Sequence, residues 1–192
     1  MKKVIKLTND DTLRIQLLVT VGEEEAVFRI GYWDTIRIAC EAGLAKQDAS
    51  RKSFYQNNLS LAINNIGYVA DEQGDMALAL ESYLKSAKLC TSINNKIGLG
   101  KALNNVGSVY EDLGDVANAM EYYHRSLKVR EEINDQKGVA VCYNNIGFVY
   151  FKQQDYPKAL KYYQSGLSIL SKIDHQQLMA ISYNNIGLIF KK

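Results

Sequence analysis

The sequence predicts an all-α solenoid of antiparallel helix pairs. Three observations carry that expectation: a four-residue string that returns at a constant interval, apolar residues at helical spacing around it, and a Gly-Asp break between the two apolar stripes of each unit. The string Asn64-Asn65-Ile66-Gly67 recurs as Asn104-Asn105-Val106-Gly107, Asn144-Asn145-Ile146-Gly147 and Asn184-Asn185-Ile186-Gly187, each copy 40 positions after the last. Register is kept downstream, where Gly74-Asp75, Gly114-Asp115 and Gln154-Asp155 align, followed by Ala79, Ala119 and Ala159, by Tyr83, Tyr123 and Tyr163, and by Ile93, Ile133 and Ile173.

Within one unit, Leu103, Val106, Gly107 and Tyr110 share one face of a first helix, here called helix A. After the Gly-Asp break, Ala119, Met120, Tyr123 and Leu127 outline the apolar stripe of a second, helix B, with Arg130 and Glu131 near its end read as solvated. The glycine can take the left-handed conformation that ends a helix, and the aspartate can cap the next one. Gln154 in the glycine's place is expected to cost up to about 1 kcal/mol if the positive φ is kept. Pro157, the single proline, falls in the first turn of a helix B, where its missing N–H has no helical partner to lose.

On this reading residues 1–192 form a single array: a divergent helix pair over 9–50, regular units over 54–95, 96–136 and 137–176, and the first helix of an incomplete fourth unit over 177–192. In the divergent pair, Trp33 to Lys46, with Ala39 and Ala42 at helical spacing, reads as helix B.

Composition narrows the function. A chain of 192 residues with 47% hydrophobic and 23% charged residues is ordinary for a globular protein. Its 23 basic and 21 acidic side chains give a formal charge of +2, too weak a field to argue for nucleic acid or an anionic membrane. Cys40, Cys90 and Cys142 are far apart and form neither a CxxC pair nor a Cys/His cluster, so buried reduced thiols are expected. Met1 to Thr8 lacks the apolar core of a signal peptide, and no apolar run reaches the roughly 18 residues of a membrane span. The chain as given reads as cytoplasmic.

These motifs resemble the tetratricopeptide repeat, whose pattern places a large residue, x2, Leu-Gly, x2, Tyr in the first helix and Ala-x3-Phe in the second. The match reads Leu103-x2-Val106-Gly107-x2-Tyr110 with Ala119-x3-Tyr123, and Tyr143-x2-Ile146-Gly147-x2-Tyr150 with Ala159-x3-Tyr163. It continues as Ile63-x2-Ile66-Gly67-x2-Ala70 with Ala79-x3-Tyr83, only Ala70 departing from the aromatic. The interval exceeds the usual 34 residues, and Thr91, Glu131 and Ser171 stand where the family has proline. The longer variant is similar to the repeats of kinesin light chains, of spindle-orientation scaffolds, and of bacterial arrays that precede sensor kinases, nucleotide cyclases or DNA-binding regulators. The resemblance implies a right-handed superhelix whose concave face, lined by the A helices, receives a peptide, within a larger signalling or regulatory protein.

With the core positions assigned, a second stripe of helix A is left to face outward: Leu61, Asn64, Tyr68 and Asp71, then Lys101, Asn104, Ser108 and Glu111, then Val141, Asn144, Phe148 and Phe151, then Ile181, Asn184, Leu188 and Lys191. By resemblance this is the ligand stripe. Asn64, Asn104, Asn144 and Asn184 would offer a peptide backbone both donor and acceptor, while Tyr68, Lys101, Glu111, Phe148 and Phe151 would set specificity. The competing account is that these amides are inherited from one duplicated unit, or bond adjacent helices instead of a ligand. The second asparagines, Asn65 and its equivalents, point about 100° away and are read as bridging neighbouring units.

Catalytic signatures are lacking. His124 and His175, read as surface residues, have no nucleophile or carboxylate in a catalytic arrangement, and no phosphate-cradling glycine motif occurs. Glu23-Glu24-Glu25 reads as a solvated helix face. The expectation is a protein or peptide ligand, no cofactor, no metal and no enzyme activity. The other class kept open is a structural array that spaces domains or self-associates. Its basis is the last helix, whose Tyr183, Ile186, Ile189 and Phe190 lack a helix B, so that either the chain is a fragment or this end pairs with another molecule, a second copy included.

Overall fold

A computed structural model describes residues 11–24, 30–46 and 48–191, with side chains 21–24 left aside. Met1 to Thr8, the side chains of Glu23-Glu24-Glu25 and Lys192 lie outside the described residues. Every regular element described is an α-helix: α1 (Asp11–Glu24), α2 (Ile30–Ala45), α3 (Lys52–Glu72), α4 (Met76–Ser92), α5 (Lys96–Asp112), α6 (Val116–Glu132), α7 (Gln136–Lys152), α8 (Tyr156–Lys172) and α9 (Gln176–Ile189). The chain divides into two compact units, Met1–Gly98 and Leu99–Lys192.

In the first unit α2 packs on α3 and α3 on α4. Its core holds Ile15, Trp33, Ile36, Cys40, Tyr55, Leu59, Ile63, Ile66 and Val69. Helix α3 meets α4 through Gly67, where a methyl group would lie 2.9 Å from the ring of Tyr83. The fully buried tyrosine therefore rests on bare backbone. Deeper along the pair, Ser86 Oγ donates to the carbonyl of Ser60 at 2.9 Å, satisfying a buried hydroxyl.

The second unit repeats this construction. Gly107 receives Tyr123 and Gly147 receives Tyr163, with an added methyl 2.7 and 2.8 Å from the respective rings. Ser126 Oγ donates to the Gly100 carbonyl at 2.7 Å, the counterpart of the Ser86 bond. Ala119, Tyr123, Ile146 and Val149 form a core cluster, with Tyr110, Met120, Leu127, Tyr150 and Tyr162 packed against it. Stacked pairs Tyr110–Tyr122 and Tyr150–Tyr162, both with centroids 5.5 Å apart, extend the A/B contact outward.

The turns follow one rule. Gly74 (φ 79°), Gly114 (φ 76°) and Gln154 (φ 64°) take the left-handed conformation between the helices of a pair. The next residue caps helix B: Asp75, Asp115 and Asp155 accept from the backbone N–H of Leu78, Asn118 and Lys158. Hydrogen bonds from Asn118 hold the Asp115 carboxyl below its ordinary range, and those from Lys158 do the same for Asp155. The turns between pairs use the same device, which the sequence reading did not single out. Asn94 (φ 54°), Asn134 (φ 56°) and Asp174 (φ 51°) are left-handed, and Asn95 and Asp135 cap the following helix by accepting from Gly98 and Gly138. Asparagine and aspartate tolerate this region better than other residues bearing a Cβ. His175, expected at the surface, is half-buried at the N-cap of α9 and makes no side-chain cap bond.

Arg130 corrects the sequence reading. Expected to be solvated, it is 8% exposed. It stands in register with Cys90 and Leu170, both buried, so its stem takes a core position. Its Nε donates to Ser126 Oγ at 3.1 Å and its Nη1 to Asp135 Oδ2 at 3.1 Å. The aspartate that caps α7 thus also neutralises the buried guanidinium. The three cysteines are buried and free, and burial pushes the Cys40 thiol up to about 12.

Three substitutions test this construction. Gln154→Gly removes the strain of a positive φ and is expected to raise the unfolding free energy by about 0.5–1 kcal/mol, read from a urea transition at unchanged slope. Gly147→Ala forces a methyl against Tyr163 and is expected to cost about 1–3 kcal/mol. Gly187→Ala, where no atom lies within 4 Å of the added carbon, is expected to gain up to about 1 kcal/mol from helix propensity in the same measurement.

Candidate functional site

The outward stripe is not uniform along the chain. In the first unit Leu61, Asn64, Tyr68 and Asp71 are all half-buried. Asp71 accepts from the Tyr83 hydroxyl at 3.5 Å, tying the stripe to the core beneath it. Burial, and then the nearby Glu72 carboxylate, raises the Tyr68 phenol above its ordinary range and keeps it a neutral hydrogen-bonding group.

In the second unit the asparagine row is largely committed to neighbouring helices. Asn104 Oδ1 accepts from Asn145 Nδ2 at 2.9 Å, so the amide of α5 is bonded to that of α7. This is the bridging expected of the second asparagine, and it engages the first. Asn144, expected to face a ligand, is 8% exposed. Its Nδ2 donates to the Ala140 carbonyl at 3.1 Å and its Oδ1 accepts from Ser182 Oγ at 3.0 Å. The reading of Asn144 as a ligand contact is therefore corrected: α9 packs close enough to α7 that the buried hydroxyl of Ser182 takes the amide oxygen. Asn184, one repeat on, is exposed.

What the stripe does present in this unit lies on either side of those amides. Lys101 is exposed at the start of α5. Glu111, near its end, is held from two sides, accepting from the Tyr123 hydroxyl at 3.0 Å and from Lys152 Nζ at 2.7 Å. Phe148 and Phe151 stack on each other with centroids 6.3 Å apart and planes 17° apart. Lys152 Nζ sits 5.0 Å from the Phe148 ring centroid, and Phe151 touches Tyr156 of α8 with centroids 5.8 Å apart. Phe148, Phe151 and Glu111, picked out by spacing, thus meet around Lys152. The sequence reading missed this lysine, although its register offered a signal: Glu72 and Asp112 hold the same place with opposite charge.

The patch offers two half-buried aromatic faces, a lysine and a carboxylate, a combination suited to holding an apolar side chain with a polar neighbour. Among the described residues no group of three or more His, Cys, Asp or Glu side chains is placed to hold a metal. No described helix is long and apolar enough to cross a membrane.

Over 94% of its length the chain superposes on BtubC (BKLC) from P. vanneervenii with a TM-score of 0.65 at 17% identity, covering 80% of that chain. The apo form of RapI matches 98% of the chain with a TM-score of 0.78 at 17% identity, 67% of RapI being covered. Aspartyl phosphate phosphatase F from Bacillus subtilis matches 96% with a TM-score of 0.74 at 15% identity, and the chain spans half of it. Likeness at such identity speaks to the fold alone. No curated protein matches the sequence. The family described as tetratricopeptide repeat matches residues 58–132, 98–172 and 138–192. Together these overlapping matches run from Asn58 to the last residue, and the chain belongs to the tetratricopeptide-repeat family.

Proposed function

We propose that this chain is a protein-binding scaffold module that holds an extended polypeptide on the outward stripe of its A helices, rather than an enzyme. The observation that carries the reading is the Phe148–Phe151 stack, whose rings the fold keeps on the outward stripe beside Lys152 while every core position of α7 is already filled. Two half-buried aromatic faces at a surface cost free energy that a bound apolar side chain would recover.

In this reading Phe148 and Phe151 grip an apolar anchor, and Lys152 and Lys101 attract acidic groups near it. Asn104 offers its amide to the ligand backbone. Asn144 is left out because its amide is buried and bonded. The family's architecture, with A helices lining a concave face, supports this placement, and the small formal charge of +2 gives no reason to expect nucleic acid. A role in a larger signalling or regulatory protein, in a bacterial cytoplasm, belongs to the same proposal.

Selection from a displayed library of random peptides tests it. Enriched peptides are expected to carry an aromatic or large aliphatic residue next to an acidic one. Against Phe148→Ser/Phe151→Ser they should bind about tenfold to a hundredfold more weakly, as loss of buried apolar contact requires, with helicity unchanged. Equal binding by the double variant, or no enrichment, refutes the proposal.

A further inference from the structure

Two stacked tyrosine pairs in the second unit have outer edges that neither the core nor the phenylalanine patch uses. Tyr110 of α5 stacks on Tyr122 of α6 with planes 20° apart, and Tyr150 of α7 on Tyr162 of α8 with planes 16° apart. All four are half-buried. The core tyrosine beside the first pair, Tyr123, spends its hydroxyl on Glu111. Among the described residues the four stacked hydroxyls meet no hydrogen-bond partner, and none is sealed from water. The pairs are not required by the fold. In register the first unit has Ala70 and Ser82, 0% and 6% exposed, and its helices close over Tyr83 without a stack.

We propose that these stacks form a second docking surface, for a proline-rich, acidic segment of a partner polypeptide in the polyproline II conformation. Spacing, donors and charge each select that occupant. The two pairs hold one register in consecutive helix pairs, and Tyr110, Tyr150 and Tyr162 pack against a single core cluster. They therefore recur at the distance between packed helices, about 8–10 Å. A polyproline II helix has three residues per turn, so its face returns after about 9.3 Å and comes level with the next stack. An extended strand repeats its face after about 6.8 Å and falls out of step. Polyproline carbonyls have no internal partners, and the free tyrosine hydroxyls are donors placed to meet them. Positive charge flanks both stacks. Arg125 lies 4.7 Å from the Tyr122 ring centroid, and Lys158 Nζ lies 5.1 Å from that of Tyr150. Glu121 and Asp155 pair with these two cations, but α8 adds Lys161 next to Tyr162 and contains no carboxylate, so an acidic ligand complements the face.

The test titrates a fluorescein-labelled peptide of repeated Pro-Pro-Glu triplets, which place a carboxylate once per turn, into the whole chain and reads anisotropy. Saturable binding is expected, about tenfold or more tighter than for an equally charged Gly-Ser-Glu peptide, which offers no preformed turn. Tyr122→Ser/Tyr162→Ser installs the residue the first unit already carries at this register. It should weaken binding about tenfold to a hundredfold, with helicity unchanged. Arg125→Gln/Lys158→Gln alters exposed side chains only and should weaken binding about fivefold to tenfold, a difference that fades in high salt. Phe148→Ser/Phe151→Ser should leave this binding intact, which keeps the result distinct from that of the proposed function. Absence of saturable binding, equal binding of the glycine peptide, or indifference to either the tyrosine or the cation pair of substitutions overturns the proposal. So does displacement of the peptide by a lower concentration of a single-stranded oligonucleotide, which would give the stacked rings to bases.

Discussion

Glycine under tyrosine is the contact on which each helix pair depends. A tyrosine ring 2.7 to 2.9 Å from where a side chain would start can lie only over a residue without one, so the glycine sets how near helices A and B approach. That approach brings Ser86 and Ser126 within reach of the carbonyls of Ser60 and Gly100, and the burial of both serines follows from it. At Gly166 even the hydroxyl is dispensed with, and an added methyl there would sit 3.1 Å from the Ala140 carbonyl. Apolar area provides the driving force, but the distance between the helices is fixed by these small residues.

Polar side chains in the interior obey a companion constraint, that a buried donor or acceptor needs a partner. Asp135 shows how economically this is met, since one carboxylate caps α7 through Gly138 and neutralises Arg130 through its other oxygen. The asparagines belong to the same account. Asn104 and Asn145 bond each other across α5 and α7, and Asn144 bonds Ser182 across α7 and α9. Recurrence of an amide at one register position therefore serves to fix neighbouring A helices to one another. On the proposed function, recognition falls to positions where the repeats differ, and these are the ones that place Phe148, Phe151 and Lys152 side by side.

Much of this was legible beforehand. The glycine and aspartate of the intra-pair turn, the proline in the first turn of α8, the buried tyrosines and the buried thiols all follow from residue type and register, because each depends on neighbours close in sequence. Arg130 reads wrongly from sequence, and Lys152 does not stand out there at all. Arginine late in a helix is ordinarily solvated, and only its alignment with Cys90 and Leu170 hinted that the position was interior. Lys152 gains its meaning from Glu111, 41 residues earlier, a distance at which spacing along one helix says nothing.

The sequence by itself determined the helix pairs, their interval, their turns and the family, since a pattern of 3.6 and a pattern of 40 are both properties of one dimension. The tertiary structure alone decided which amides face outward and which are sealed, because that depends on how closely the next A helix lies, a distance set by packing rather than by order along the chain. Asn104 and Asn144 occupy the same register, yet the first is half-buried and bonded to Asn145 while the second is buried and bonded to Ser182. Identical residues differ in burial because the side chains that meet them from the next A helix differ.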